Sequence, residues 1–284
     1  MLHVGSLFSG AGLCDLGFHQ AGFDHRFFCE ADPFCRAVLA RHWPGVPVYN
    51  DVRTLDGAEL PAVDVLVGGF PCQDVSCSGG RAGITQSSRS GLWYEYKRLI
   101  GEMRPRYAVI ENVKGLLSKG MEIVLSDLSA LGYDAEWQSL PAAAFGAPHL
   151  RERVFIVAYA HGGRADSGHR LFHAFEGELG DYQQPGRIAD WLGVRFERST
   201  RTAIRQAYGG CVLRRVDDGR ADGLDRLDRT KPGERDYPTP ASVLPLTQDE
   251  RRAWLLMLKA LGNGVSPAQG YAVARCILRA EGLI

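Results

Sequence analysis

Short apolar runs alternate with amphipathic stretches along the first 160 residues. His3 to Phe8 reads as a buried strand that ends in the glycine turn Ser9-Gly10-Ala11-Gly12, and Leu13 to Gln20 as a helix. Phe27 to Glu30 reads as a second strand, and Pro33 to Arg41 as a helix with proline in its first turn. Val48 to Asn50 is a further short strand candidate. Val63 to Val67 is nearly unbroken apolar and is closed by Gly68-Gly69. Leu92 to Met103 has helical spacing, Tyr107 to Ile110 is another apolar strand, Met121 to Leu131 is helical, and Val154 to Tyr159 is a last strong strand. Continuous apolar strands between helices predict an α/β fold, a mostly parallel sheet with helices on both faces.

The pattern changes after Ala160. Residues 161–237 are loop-rich, with 14 Lys or Arg against 13 Asp or Glu. Val216 to Lys231 has little to bury and reads as a linker. Phe172, Phe175, Trp191 and Phe196 are the expected core of a small inserted domain. Regular patterning returns with a helix from Thr247 to Leu261. After the turn Gly262-Asn263-Gly264, Ser266 as N-cap and Pro267 open a helix to about Arg279. The expected division is a large domain of residues 1–160 and 238–284, with 161–237 inserted.

A chain of 284 residues, 45% hydrophobic and 23% charged, can bury a full core, which excludes collagen-like, coiled-coil and wholly disordered classes. No apolar run is long enough to span a bilayer, and the start has no basic segment of a secretory signal. The formal net charge is zero, so a nucleic-acid site must be a local basic surface. Of the 33 basic residues only five are Lys, and Arg suits bidentate recognition of phosphate and guanine. A GC-rich coding sequence produces the same skew. The seven cysteines, at 14, 29, 35, 72, 77, 211 and 276, form no CxxC pair. A disulfide framework and a zinc site are therefore not expected, and a cytoplasmic protein is.

Chemistry collects at the predicted strand ends. Gly10 and Gly12 let backbone approach a ligand, but a glycine turn after a strand occurs in many folds, and the third glycine of a dinucleotide fingerprint is replaced by Asp15. Glu30, at the next strand end, is placed to bond ribose hydroxyls, and Asp51, at the third, to reach an adenine edge. Three such features at consecutive strand ends favour an adenosine site over unrelated solvated acids. The next two ends carry Pro71-Cys72-Gln73 and Glu111-Asn112-Val113, a possible nucleophilic thiol and a possible proton donor opening into one crevice.

These segments resemble the cytosine-5 DNA methyltransferase family, which uses S-adenosylmethionine. LFSGAG with Phe8 is similar to the family's first motif, and Glu30 and Asp51 to its next two acidic positions. GGFPCQDVSCSGG resembles the nucleophile motif, GLWYEY with Leu92 the one after it, and Glu111-Asn112-Val113 the ENV tripeptide. PHLRERVFIVA resembles the Gln-x-Arg-x-Arg motif and GNGVSP the last motif. Ser6, Leu13 and His149 depart from the usual residues without removing a core catalytic group, and the motif that supports the recognition domain is hard to find.

The resemblance implies a Rossmann-like class I methyltransferase sheet with a small inserted target-recognition domain, acting as a monomer on double-stranded DNA. It implies that Cys72 attacks carbon 6 of a flipped cytosine. Glu111 protonates or hydrogen-bonds ring nitrogen 3, and Arg153, with Arg151 nearby, holds the carbonyl oxygen and orients Glu111. For S-adenosylmethionine it implies Phe8, Gly10, Ala11, Gly12, Glu30, Asp51, Val52, Pro71, Leu92, Asn263 and Val265. For DNA it implies Gln73, Ser76 and Arg89 on a Gly/Ser-rich segment. A cognate restriction endonuclease is a further implied partner, and neither metal nor membrane is expected. A tRNA cytosine methyltransferase of the same family is the alternative substrate reading. A DNA-binding module without catalysis is disfavoured by the intact Cys72, Glu111, Arg151 and Arg153. A nicotinamide oxidoreductase is disfavoured by the missing third glycine.

Overall fold

The computed structural model describes residues 1–71, 91–145, 151–161, 171–174, 248–249 and 265–284. In chain order the elements are β1 (His3–Leu7), α1 (Leu13–Gln20), β2 (Asp24–Cys29), α2 (Pro33–His42), β3 (Val48–Tyr49), β4 (Val65–Gly68) and α3 (Leu92–Met103). They continue with β5 (Tyr107–Val113), α4 (Leu116–Lys119), α5 (Met121–Ala130), β6 (Tyr133–Pro141), β7 (Glu152–Ala160) and α6 (Pro267–Ala280). Single 3-10 turns lie at Val52–Thr54, Ala142–Phe145 and Leu171–Ala174. The seven strands form one sheet in the order β3-β2-β1-β4-β5-β7-β6. The first five are parallel and β7 and β6 are antiparallel.

Strand alternation sorts the core into two layers. Leu66, Ala108, Ile110, Val154 and Ile156 face the layer built with Trp93, Tyr96, Leu99 and Ile100 of α3 and Val124 and Leu128 of α5. Val65, Val67, Val109, Phe155 and Val157 face the other layer, with Phe18 of α1 and Ala268, Val273, Ala274 and Ile277 of α6. The predicted α/β architecture with both faces covered is thus the observed one. On α2, Asp32 caps the helix by accepting from Phe34 N at 2.9 Å, directly ahead of Pro33.

One strand was not anticipated, and two readings are corrected. The polar stretch Tyr133–Pro141 is a nine-residue strand, β6. It lies at the sheet edge with Asp134, Trp137 and Gln138 exposed, so it lacks the apolar run of the central strands. The Tyr107 strand runs to Val113, three residues past its apolar run, because β7 continues to pair with it where β4 has ended. Phe172, expected in the core of the insert, packs with buried Leu171 against the layer that holds α6. Phe175, Trp191, Phe196 and most of the Thr247–Leu261 helix lie outside the described residues, although Gln248 and Asp249 are helical.

The last helix closes on the first. A Cβ on Gly17 of α1 would collide with the backbone of Pro267, Gly270 and Tyr271, and one on Gly270 with the carbonyl oxygen of Cys14 at 2.6 Å. The two helices therefore touch backbone to backbone, an approach only glycine permits. Gly17→Ala is expected to destabilise the protein by about 1–3 kcal/mol through overpacking, measured by urea unfolding, because the obstructing atoms are main chain and cannot rotate aside.

Candidate active site

The carboxyl ends of β1, β2, β4 and β5 open at one edge of the sheet, around the reversal of strand order between β1 and β4. At the end of β1 the chain turns sharply. Phe8 has φ 53°, Gly10 φ 55° and Gly12 φ 76°, all left-handed. For a bulky residue such as Phe8 this conformation costs about 1–3 kcal/mol, and such strain gathers at ligand sites. The Phe8 ring leans on Tyr96 with centroids 6.3 Å apart. Glu30 ties the turn to β2. Its carboxylate accepts from Gly10 N at 2.7 Å and from Asp32 N at 2.7 Å. Asp51 instead binds Arg53, accepting from its backbone N at 3.0 Å and from Nη2 at 2.7 Å, and these bonds hold its carboxyl below the ordinary value. Val52 is buried, and its carbonyl accepts from Arg98 Nη2 at 3.2 Å.

The second group sits on β4, β5 and β7. Glu111 pairs with Phe155 and Val113 with Arg153 in the antiparallel register, which sets Glu111 and Arg153 diagonally on one face. Arg153 Nε lies 3.0 Å from Glu111 Oε1, with both side chains largely buried. Burial raises the Glu111 pKa, and the positive charges of Arg153 and Arg151 pull it back down without cancelling the rise. Gly69 leaves room for this carboxylate: a side chain there would strike Glu111 Oε2. Asn112, buried between the strands, donates to Phe70 O at 3.1 Å and accepts from Val113 N at 2.9 Å. It thereby holds the backbone just upstream of Pro71 against β5. Arg151 is buried, with φ 26°.

The structure thus brings Glu111 together with Arg153, and Gly10 with Glu30. Leu92 and Val265 join the two hydrophobic layers, Leu92 with α3 and Val265 with α6. Cys72, Gln73, Ser76, Arg89 and Asn263 lie outside the described residues. Burial pushes the thiol of Cys14 up, that of Cys29 up to about 12 and that of Cys276 up to about 11, so these three stay protonated and weakly nucleophilic at neutral pH. Sequence reasoning missed two supports. Arg98 of α3 donates to Leu55 O at 2.9 Å as well as to Val52 O, and nothing in its local pattern pointed to that long reach. Gln269 is the other, and the spacing Ser266-x-x-Gln269 of a capping box was its available signal.

Comparison with known proteins decides the family. The family model described as C-5 cytosine-specific DNA methylase matches residues 2–208. The chain belongs to this family. The Type II methyltransferase M2.BsuMI of Bacillus subtilis is 42% identical over 165 residues, covering 55% of this chain and 42% of that protein. The Type II methyltransferase M.AquIA of Picosynechococcus is 37% identical over 173 residues, covering 54% of this chain and 69% of that protein. The matched part therefore spans less than half of the Bacillus relative. The solved structure of the S. pombe Dnmt2 methyltransferase shares the fold, with a TM-score of 0.60 at 16% identity, covering 98% of this chain and 99% of that one. The chain thus shares its seven-stranded, Rossmann-like fold with that structure.

Arg153→Met tests the electrostatics. Removing one partner of a buried pair costs about 3–5 kcal/mol and here also raises the Glu111 pKa further. A raised folded-state pKa means stability that is present below the unfolded value, near 4.5, and lost as pH rises through the folded value. The deficit of Arg153→Met against wild type is expected to be full at pH 7 and to shrink below pH 4.5, measured by urea unfolding at both.

Proposed function

We propose that this chain is a DNA (cytosine-5-)-methyltransferase that acts on a cytosine flipped out of double-stranded DNA, through a covalent adduct with Cys72. The observation that carries the reading is the buried Glu111–Arg153 pair on β5 and β7, joined through Asn112 to the backbone that leads into Pro71-Cys72. In this reading residues 1–160 and 238–284 form the catalytic domain and 161–237 the target-recognition domain.

Carbon 5 of cytosine is a poor nucleophile. The Cys72 thiolate adds to carbon 6, and the Glu111 carboxyl gives its proton to ring nitrogen 3, so that the ring carries an electron-rich carbon 5 and no net charge. The raised Glu111 pKa supports this role, since an acid that holds its proton nearer neutrality is a better donor. Arg153 orients that carboxyl and binds the cytosine carbonyl oxygen, with Arg151 close by. After methyl transfer a base removes the proton from carbon 5, the carbon 5–carbon 6 double bond re-forms, the Cys72 sulfur leaves as thiolate, and the proton on ring nitrogen 3 returns to Glu111. Carbon 6 is out of reach in a stacked duplex, which requires the base to be flipped. Gln73, Ser76 and Arg89 are the proposed DNA contacts.

The residues at the β1 to β3 ends fit an adenosyl group: a glycine turn in left-handed backbone, an aromatic ring at Phe8, and a carboxylate at Glu30 already oriented by Gly10 N. Phe8, Gly10, Ala11, Gly12, Glu30, Asp51, Val52, Pro71, Leu92, Asn263 and Val265 would hold S-adenosylmethionine, which supplies an electrophilic methyl group when bound. The two relatives named Type II methyltransferases support a place beside a cognate restriction endonuclease.

The deciding experiment is bisulfite sequencing of DNA from a methylation-deficient host that expresses the chain. Protected cytosines in one short motif are expected, and Cys72→Ala is expected to abolish them. Protection absent from DNA but present in tRNA of the same cells would move the substrate to RNA. Glu30→Ala is expected to weaken S-adenosylmethionine binding at least about tenfold by calorimetry, from loss of a hydrogen bond between charged acceptor and ribose; unchanged affinity would remove Glu30 from the cofactor site.

A further inference from the structure

One buried polar side chain of α6 touches the site from behind. Gln269 is fully buried. Its Oε1 accepts from Ser266 N at 3.1 Å, which serves the helix start. Its Nε2 turns the other way and donates to Leu140 O at 2.6 Å and to Arg151 O at 3.3 Å. Leu140 pairs with Arg153 next to the end of the β6–β7 ladder, Arg151 lies just outside its last pair, Pro141 with Glu152, and Pro141 has no N–H to contribute there. Arg151 stands at this opening with a left-handed φ of 26°, a conformation a non-glycine residue keeps only when its surroundings enforce it. Gln269 meets this residue from α6, its amide donating to the Arg151 carbonyl.

We propose that Gln269 is a positioning residue: its buried amide holds the backbone of Arg151, two residues ahead of the Arg153 that pairs with Glu111. The proposal rests on the reading of Glu111 and Arg151 as methyl-transfer machinery. A helix-capping role alone would stop at Ser266. The two donated bonds extend the reach of Gln269 across the sheet edge, to a residue more than a hundred positions earlier in the chain.

The test compares Gln269→Met, which keeps the volume and loses both donors, with Ser266→Ala, which removes only a capping hydroxyl. Hydrogen exchange read by mass spectrometry should quicken over residues 140–153 in Gln269→Met and stay unchanged there in Ser266→Ala, even where both variants melt at lower temperature. In steady-state methylation Gln269→Met should lower kcat about tenfold, with KM for S-adenosylmethionine within twofold of wild type. In an Arg151→Ala background the same substitution should cause no further loss of kcat, because residues acting as one unit are non-additive. Unchanged exchange over 140–153, or a loss of kcat that adds in full to that of Arg151→Ala, overturns the proposal. If the wild-type chain transfers no methyl group to cytosine, the functional reading fails by itself. The exchange arm then decides the positioning role: quickened exchange keeps the hold on Arg151, and unchanged exchange removes it.

Discussion

The antiparallel register of β7 on β5 is the constraint on which the site depends. A parallel strand in that place would send its polar end to the opposite edge of the sheet. Running antiparallel, β7 begins beside the carboxyl end of β5 and brings Arg153 to Glu111 with a separation of 3.0 Å. The same register carries β5 three residues beyond its apolar run, so the Glu111 carboxylate emerges from a paired strand rather than a loose turn. A charge held on two hydrogen-bonded strands has little freedom to reorient, which is the preorganisation that proton transfer benefits from.

Much of this was legible in the chain because the central strands are buried on both faces and so appear as unbroken apolar runs. Val63 to Val67 and Tyr107 to Ile110 announce themselves for that reason. β6 does not, because an edge strand needs apolar residues on one side at most: Asp134, Glu136 and Gln138 alternate with Tyr133, Ala135 and Trp137, a half-buried pattern with no apolar run. The direction of β7 was equally hidden, since Val154 to Tyr159 reads the same whichever way it runs. At the site, the family resemblance already set Arg153 to orient Glu111, and the register of β7 on β5 is what delivers the contact. The capping-box spacing marks Gln269 as a helix-start residue, but it says nothing of the backbone oxygens that Arg98 and Gln269 reach far along the chain.

Glu30 and Asp51 show how alike acids at neighbouring strand ends can differ. Glu30 points back into the glycine turn and accepts two backbone N–H groups, so it is part of the turn's construction. Asp51 turns outward and is neutralised by Arg53, two residues on. Replacing Glu30 therefore disturbs the shape of the turn as well as any ligand contact. Replacing Asp51 releases an exposed arginine and the start of a short 3-10 turn.

The backbone contact of α1 with α6 joins residues some 250 positions apart. Closing so long a loop is entropically unfavourable and is compensated only by the packing made once it closes. Contacts of this separation form slowly. During synthesis the sheet strands leave the ribosome long before Pro267, so the layer that α6 shares with Phe18 and Val157 lacks that cover until α6 arrives. A chain without α6 thus leaves apolar side chains of that layer uncovered, with sticky surface and an unsupported site together.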